Sequence, residues 1–266
     1  MKLERNSGIL LHPTSLPDSP VCGSFGKPAR EWLNELAAFG IGVWQFLPLA
    51  PTDSFGSPYS SPSSFALNPW FLDQNDLVRD GFLANNLEDF SSSNDCFKNR
   101  VDFHLANSKV KSLRFSLVDD WYKQNRTIQE EFEIWCSKQF WLDDHSIFME
   151  LKIQNNDLPW WEWPEEYAGR DKKELENWKK NNQKELLGHK LLQWHLDRQW
   201  QSIRELAKNL GIYLFGDVPF YVSKDSADVW GNRSLFSILT NSDTFLQSGV
   251  PPDYFSETGQ LWGNPV

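Results

Sequence analysis

The apolar positions of this chain fall into two kinds of pattern, and their alternation predicts its first elements. Residues 7–12, SGILLH, form an apolar run of strand length. From Pro28 the pattern changes. In PAREWLNELAAFG, Trp32, Leu33, Leu36, Ala37 and Phe39 recur at helical spacing and mark a buried side. Pro28 is preorganised for the first turn, and Gly40 is a natural stop. Residues 42–49, GVWQFLPL, are again apolar and continuous. Strand, helix, strand, with little alternation inside the strands, predicts a βαβ unit whose strands are buried in a parallel sheet.

Residues 50–70, APTDSFGSPYSSPSSFALNPW, are rich in Pro, Ser and Gly and predict a long loop. Such loops are usually functional or disordered, and Phe55, Tyr59, Phe65 and Trp70 argue against disorder. The loop follows a parallel strand, on the side where α/β active sites are built. Residues 73–182 are polar, helical in pattern and studded with tryptophan, which predicts an inserted helical subdomain. Within it, PWWEWPEEY is bounded by Pro159 and Pro164. It reads either as packing against a neighbour or as the wall of a sugar cleft. Leu192, Leu196, Trp200, Ile203, Ala207 and Leu210 then repeat every three or four residues. They predict a long helix with Lys208 in its last turn and Gly211 as its stop. Residues 212–217 supply a third buried strand, and a further short element is expected around 236–239. Residues 1–72 and 183–266 thus make one α/β domain around the insertion. Three strands are fewer than an eight-stranded barrel requires, and an open sheet this small leaves its edges unpaired, so the fold reads as unfinished.

Composition narrows the function. The 266 residues carry 26 basic and 36 acidic side chains, a net charge of −10. That disfavours a nucleic-acid surface or an anionic membrane as partner. The apolar run near the N-terminus is too short for a signal peptide, and no stretch approaches a membrane span. Cys22, Cys96 and Cys136 are odd in number and far apart. They fit neither a disulfide framework nor a CxxC site, and a cytoplasmic location is expected. Tryptophan is the outlier, with 14 in one chain. Such rings serve a large aromatic core. They also serve carbohydrate binding, because sugars stack flat C–H faces on aromatic rings while their hydroxyls bond to side chains. Composition does not decide between the two.

The motifs of several chemistries are missing. HExxH, GxxxxGK[ST] and GxSxG are absent, and Gly40-Ile41-Gly42 precedes its strand instead of following it. The five histidines, at 12, 104, 145, 189 and 195, show no ligand spacing, and no metal is expected. His12 stands out because it ends the first predicted strand. Asp217 ends the third, a position that is functional more often than not in parallel α/β folds. Asp225 reads as a helix N-cap, with Asp228 reciprocating as in a capping box. In the tail, Asp253 and Glu257 flank aromatic residues, while Gln260 and Trp262 offer an amide and a stacking plane. Polar groups beside flat rings are what a sugar cleft requires. Glycoside chemistry needs two carboxyl groups, about 5–5.5 Å apart in retaining enzymes, and no such pair is identifiable in the sequence.

Four stretches carry a resemblance: RNSGILLHPTSLP, GVWQFLPLAPTDSFGSPYSSPSSFALNPW, GDVPFYVSKDSADVW and GVPPDYFSETGQLWGNP. In this order they resemble the 4-α-glucanotransferases, also called amylomaltases or disproportionating enzymes, of the α-amylase clan. The resemblance implies a (β/α)8 barrel with inserted subdomains, of which this chain holds the first strands. It implies transfer of α-1,4-glucan segments between maltooligosaccharides, by double displacement through a covalent glucosyl-enzyme, with no metal or organic cofactor. By motif, Tyr59 in SPYS stacks on a glucose unit. Asp217 in GDVP supports the site without attacking. Asp253, Gln260 and Trp262, in a loop arching over the cleft, contact glucan. The family's nucleophile is an Asp in an Arg-x-Asp context on the next strand, and its acid/base Glu and a third Asp come later. This chain is expected to carry none of these motifs. The resemblance therefore implies the front part of a longer enzyme, inactive by itself, with a non-catalytic glucan-binding remnant as the alternative.

Overall fold

The computed structural model describes residues 5–17, 21–85, 100–239 and 246–266. In chain order its helices are α1 (Lys27–Ala38), α2 (Gln74–Arg79), α3 (Phe103–Trp121), α4 (Arg126–Ser137), α5 (Leu142–Gln154), α6 (Glu165–Ala168), α7 (Lys172–Asn181), α8 (Gln183–Asn209) and α9 (Ala227–Gly231). The strands are β1 (Gly8–Leu10), β2 (Val43–Gln45), β3 (Tyr213–Phe215), β4 (Gln247–Val250) and β5 (Gln260–Pro265). They divide into two compact units. The first is Met1–Leu49, Leu67–Gln139 and Leu187–Asp217; the second is Ala50–Ala66, Phe140–Leu186 and Val218–Val266.

The first unit is built on a parallel sheet in the order β1-β2-β3. Ile9 pairs with Trp44, and Trp44 with Leu214. The crossover between β1 and β2 is α1, which has Pro28 in its first turn and buries Leu33 and Leu36. The chain then turns through Gly40 at φ +69°, a left-handed conformation that costs glycine no steric clash. Phe39, expected on the buried side, is the C-cap and is 77% exposed. Trp44 anchors the core from the central strand. It is fully buried, and its indole N–H donates to the Leu11 carbonyl at 2.7 Å. The Phe25 ring packs at 4.9 Å from both Phe71 and Trp200. Leu191, Leu192, Leu196, Ile203 and Ala207 of α8 bury the stripe that the sequence pattern predicted.

The strands themselves depart from expectation. All three were expected to be buried, yet every residue of β1 is exposed, as are Tyr213 and Phe215 of β3. The reason is topological. Only β2 lies between two strands, and β1 and β3 are the edges of a sheet of three. An apolar run encodes extended backbone, but it does not say how many neighbours that backbone finds.

Between residues 73 and 182 the described part of the chain forms α2 to α7, as the pattern predicted, while Cys96 lies outside the described residues. Among the described residues, Cys22 and Cys136 form no disulfide. The second unit has its own core, where Phe148, Trp163 and Trp230 meet at ring distances of 5.2–5.9 Å. Trp160 and Trp163 are buried there, so PWWEWPEEY acts as packing. The element expected at 236–239 does not join the parallel sheet; Ser237 N–H donates to the Val266 carbonyl at 2.8 Å. Among the described residues, no helix is long and apolar enough to cross a membrane.

His195 is fully enclosed on α8, with ring centroids 4.6 Å from Phe82 and 4.8 Å from Trp194. Burial, reinforced by Arg198, lowers its pKa from 6.5 to about 3. Between those values the unfolded chain binds a proton that the folded chain refuses. The stability this gives is therefore present above pH 6.5 and drains away as pH falls. The urea midpoint should drop steadily below pH 6.5, and the drop should be shallower in His195→Gln. Equal slopes for the two proteins would contradict this account.

Candidate functional site

The tail folds as an antiparallel hairpin, which explains its sequence. Gly249 of β4 faces Leu261, and Val250 faces Gln260 of β5. Pro251 and Pro252 follow β4, where prolines cannot donate to a ladder. Asp253 then organises the turn: its Oδ1 accepts from the N–H groups of Phe255 and Ser256, both at 2.9 Å. Ser256 Oγ donates to the Gly259 carbonyl at 2.6 Å. Gly259 sits at φ +76°, and a Cβ there would lie 2.5 Å from the Val250 carbonyl oxygen. The loop leaves Tyr254 and Phe255 exposed.

The hairpin presents a polar and aromatic surface. Trp262 is 46% exposed on β5. Its indole N–H donates to Gln260 Oε1 at 3.1 Å, which fixes the ring beside the amide. Tyr221 meets it edge-on, with centroids 5.7 Å apart. A ring held on one edge by a hydrogen bond and on another by an aromatic neighbour keeps its orientation without being covered. Gln260 keeps its amide donors and Asp253 keeps Oδ2. Such a surface can stack an apolar face and bond hydroxyls around it.

The remaining candidates lie on other segments. Tyr59 is half-exposed in the 3-10 turn Pro58–Ser60 of the second unit, where Ser57 Oγ accepts from its N–H at 3.3 Å. Asp53 orders the preceding turn by accepting from Phe55 and Ser57 N–H. Asp217 is exposed, two residues beyond β3, and is the last residue of the first unit. His12 stands two residues beyond β1, edge-on to Phe71 at 5.6 Å. Burial lowers its pKa to about 4, so it is neutral at pH 7.

Several readings need correction. The N-cap of α9 is Ser226, whose hydroxyl accepts from Val229 N–H, and not Asp225. Asp225 instead pairs with Lys152 and accepts from Trp160 N–H. Asp228 does not reciprocate in a capping box; its Oδ2 accepts from Ser64 N–H at 2.8 Å. The one Arg-x-Asp spacing in the chain, Arg100 to Asp102, is a helix cap, because Asp102 Oδ1 accepts from Leu105 N–H. Sequence reasoning missed Tyr221, although it lies inside the GDVPFYV stretch; its aromatic company for Trp262 comes from 41 residues away in the chain. Among the described residues, no group of three or more His, Cys, Asp and Glu could hold a metal ion.

Comparison with known proteins bears on these residues. A family model described as 4-alpha-glucanotransferase matches residues 11–266. The 4-alpha-glucanotransferase of Synechocystis sp. is 40% identical over 99% of this chain, and that of Thermus thermophilus is 38% identical over 100% of this chain. The chain spans about half the length of these curated relatives, 52% of each. Among solved structures, the amylomaltase from Streptococcus agalactiae in complex with acarbose matches with a TM-score of 0.86. Its sequence is 30% identical, and the match covers 99% of this chain and 53% of that one.

The Asp253 anchor is open to test. Asp253→Ala should speed amide exchange at Phe255 and Ser256 by about fivefold or more, since it removes two hydrogen bonds to their N–H groups. Asp253→Asn keeps an acceptor and should stay near the wild-type rate. Unchanged exchange in the alanine variant would show that the turn is held by its backbone alone.

Proposed function

Because this chain belongs to the 4-α-glucanotransferase family, we propose that it forms part of an enzyme transferring α-1,4-glucan segments from one maltooligosaccharide to another. The observation that carries this reading is the family match over residues 11–266. In a retaining double displacement, a carboxylate attacks the anomeric carbon while a carboxylic acid protonates the departing glycosidic oxygen. A sugar hydroxyl then attacks the glucosyl-enzyme and gives its proton to the same acid/base. On this reading both carboxyl groups lie in the half of the relatives' length that this chain does not span.

The residues of this chain then bind and orient. Trp262 stacks on a glucosyl ring, with Gln260 and Asp253 bonding its hydroxyls. Tyr59 stacks on another glucose unit. Asp217 supports the reacting sugar without attacking it, a role that suits its place just beyond β3. That an amylomaltase of similar structure is solved in complex with acarbose supports an α-glucan as the ligand. The three parallel strands are, in this proposal, the first strands of a (β/α)8 barrel formed by residues 1–72 and 183–266, with 73–182 inserted. That Cys22 and Cys136 form no disulfide among the described residues supports a cytoplasmic setting.

Two measurements test the reading. Calorimetric titration with maltoheptaose should give binding that weakens about tenfold in Trp262→Ala, the scale of one lost aromatic stack; no binding heat from the wild type would overturn it. The 266-residue chain incubated with maltotriose should release no glucose. Glucose together with maltopentaose would place the reacting carboxylates inside this chain after all.

A further inference from the structure

The second unit holds a cleft that the site above does not use. It is a shallow depression of about 60 Å³, lined by Phe65, Phe140, Trp141, Asp144, Asp228 and Asn232, with Ser63 and Ala227. The volume is well below that of an enclosed small-molecule site, so a ligand would lie across its mouth and not inside it. Its walls are aromatic. Phe140 is 81% exposed and meets Phe65 in an edge-to-face contact at 4.9 Å. Trp141 stands nearly parallel to Phe65, 17° apart, with centroids at 6.4 Å. Neither phenylalanine belongs to the core of the unit. Two large rings left in water lose the gain that burial would bring, and their mutual contact fixes their orientation at the mouth of the cleft.

The polar lining offers acceptors that are already positioned. Asp144 Oδ1 accepts from Arg170 at 2.7 Å, which leaves Oδ2 open. Asp228 Oδ2 accepts from Ser64 N–H at 2.8 Å. Burial raises the Asp228 pKa against the pull of the bonds from Ser64. Asn232 donates its amide N–H to the Asp228 carbonyl at 3.0 Å, which points its Oδ1 away from that bond. Asp144 and Asp228 therefore offer open acceptors, each held by a protein donor on its other side, while the Asn232 carboxamide offers an acceptor and a second N–H. A complementary ligand must bring donors for the carboxylates, a group for the carboxamide and an apolar face. A pyranose ring does both, with hydroxyls around its rim and C–H groups on its faces. An organic ammonium would also suit aromatic walls. It gains less here, because Arg170 already compensates Asp144.

We propose that the mouth of this cleft is a carbohydrate-binding surface for one glucosyl unit lying across it, with Phe140 and Trp141 as stacking planes and Asp144, Asp228 and Asn232 bonding its hydroxyls. The choice of a glucosyl unit rests on the transferase reading; the match to a pyranose rests on the cleft alone. None of Tyr59, Asp217, Asp253, Gln260 or Trp262 lines it. A long glucan reaching this cleft would gain affinity by tethering, without any change at the reacting bond.

The test uses maltose and tetramethylammonium as probes on the 266-residue chain. In a nitrogen-15 NMR titration, the Trp141 indole N–H and the Asn232 carboxamide should shift with maltose and stay fixed with tetramethylammonium. Shifts with the ammonium alone, or with neither, would overturn the proposal. Affinity electrophoresis in glycogen gels then separates the two sites. Phe140→Ala, a change at an exposed ring, should weaken retardation about tenfold. Loss in Trp262→Ala but not in Phe140→Ala leaves the hairpin reading standing and this one refuted. Loss in Phe140→Ala but not in Trp262→Ala does the reverse.

Discussion

Two buried glutamine side chains hold the first unit in register. The backbone returning after the long loop must enter the interior between residues 67 and 73, where unpaired N–H and C=O groups would each cost about 1–3 kcal/mol. Gln193 meets this demand at Leu67, accepting from its N–H and donating to its carbonyl, both at 2.9 Å. Gln199 does the same at Asp73, again with both bonds at 2.9 Å. Each carboxamide acts as a piece of strand edge presented by α8. Asp73 extends the arrangement by capping α2 and accepting from Ser24. A Cβ on Gly26 would lie 2.1 Å from the Asp73 carboxylate, so glycine is required there. Asp76, one turn on, takes both guanidinium nitrogens of Arg30. The segment that leads into the helices is thus tied to α8 and to α1 by groups that have no other way to be satisfied.

The abundance of tryptophan resolves into two uses once burial is known. Trp44 closes the core of the first unit, and Trp160, Trp163, Trp178 and Trp230 fill that of the second. Of the 14 tryptophans, Trp262 alone is exposed. The aromatic-core reading holds for the buried rings, and the carbohydrate reading rests on Trp262. The indole N–H groups of the core find partners, as with Trp160 on the Lys224 carbonyl and Trp230 on the Tyr167 carbonyl. Trp262 spends its N–H on Gln260 and keeps nearly half of its surface exposed.

Much of the scaffold could be read from the sequence because helical periodicity and apolar runs report local structure directly. α1 and α8 form where their patterns predict, apart from the exposed Phe39, with Gly40 and Gly211 in left-handed conformations at their stops. Exposure was not legible, because the edge positions of β1 and β3 depend on which strands pair. The hairpin of β4 and β5 was read as a loop, since its turn is set by one Asp side chain and a glycine instead of a two-residue motif. Ser226 was overlooked in favour of Asp225 because both residue types cap helices and only the backbone position separates them. The cleft beside Phe140 draws on residues from 63 to 232, a distance over which no spacing rule operates.

The account stands on one claim, that the exposed polar and aromatic hairpin is a glucan-contacting surface. Hydrogen-exchange mass spectrometry with and without maltoheptaose tests it most directly. Slowed exchange in the peptides covering residues 247–265, with the core of α8 unchanged, is the predicted result. Identical exchange across that hairpin at saturating sugar would contradict it.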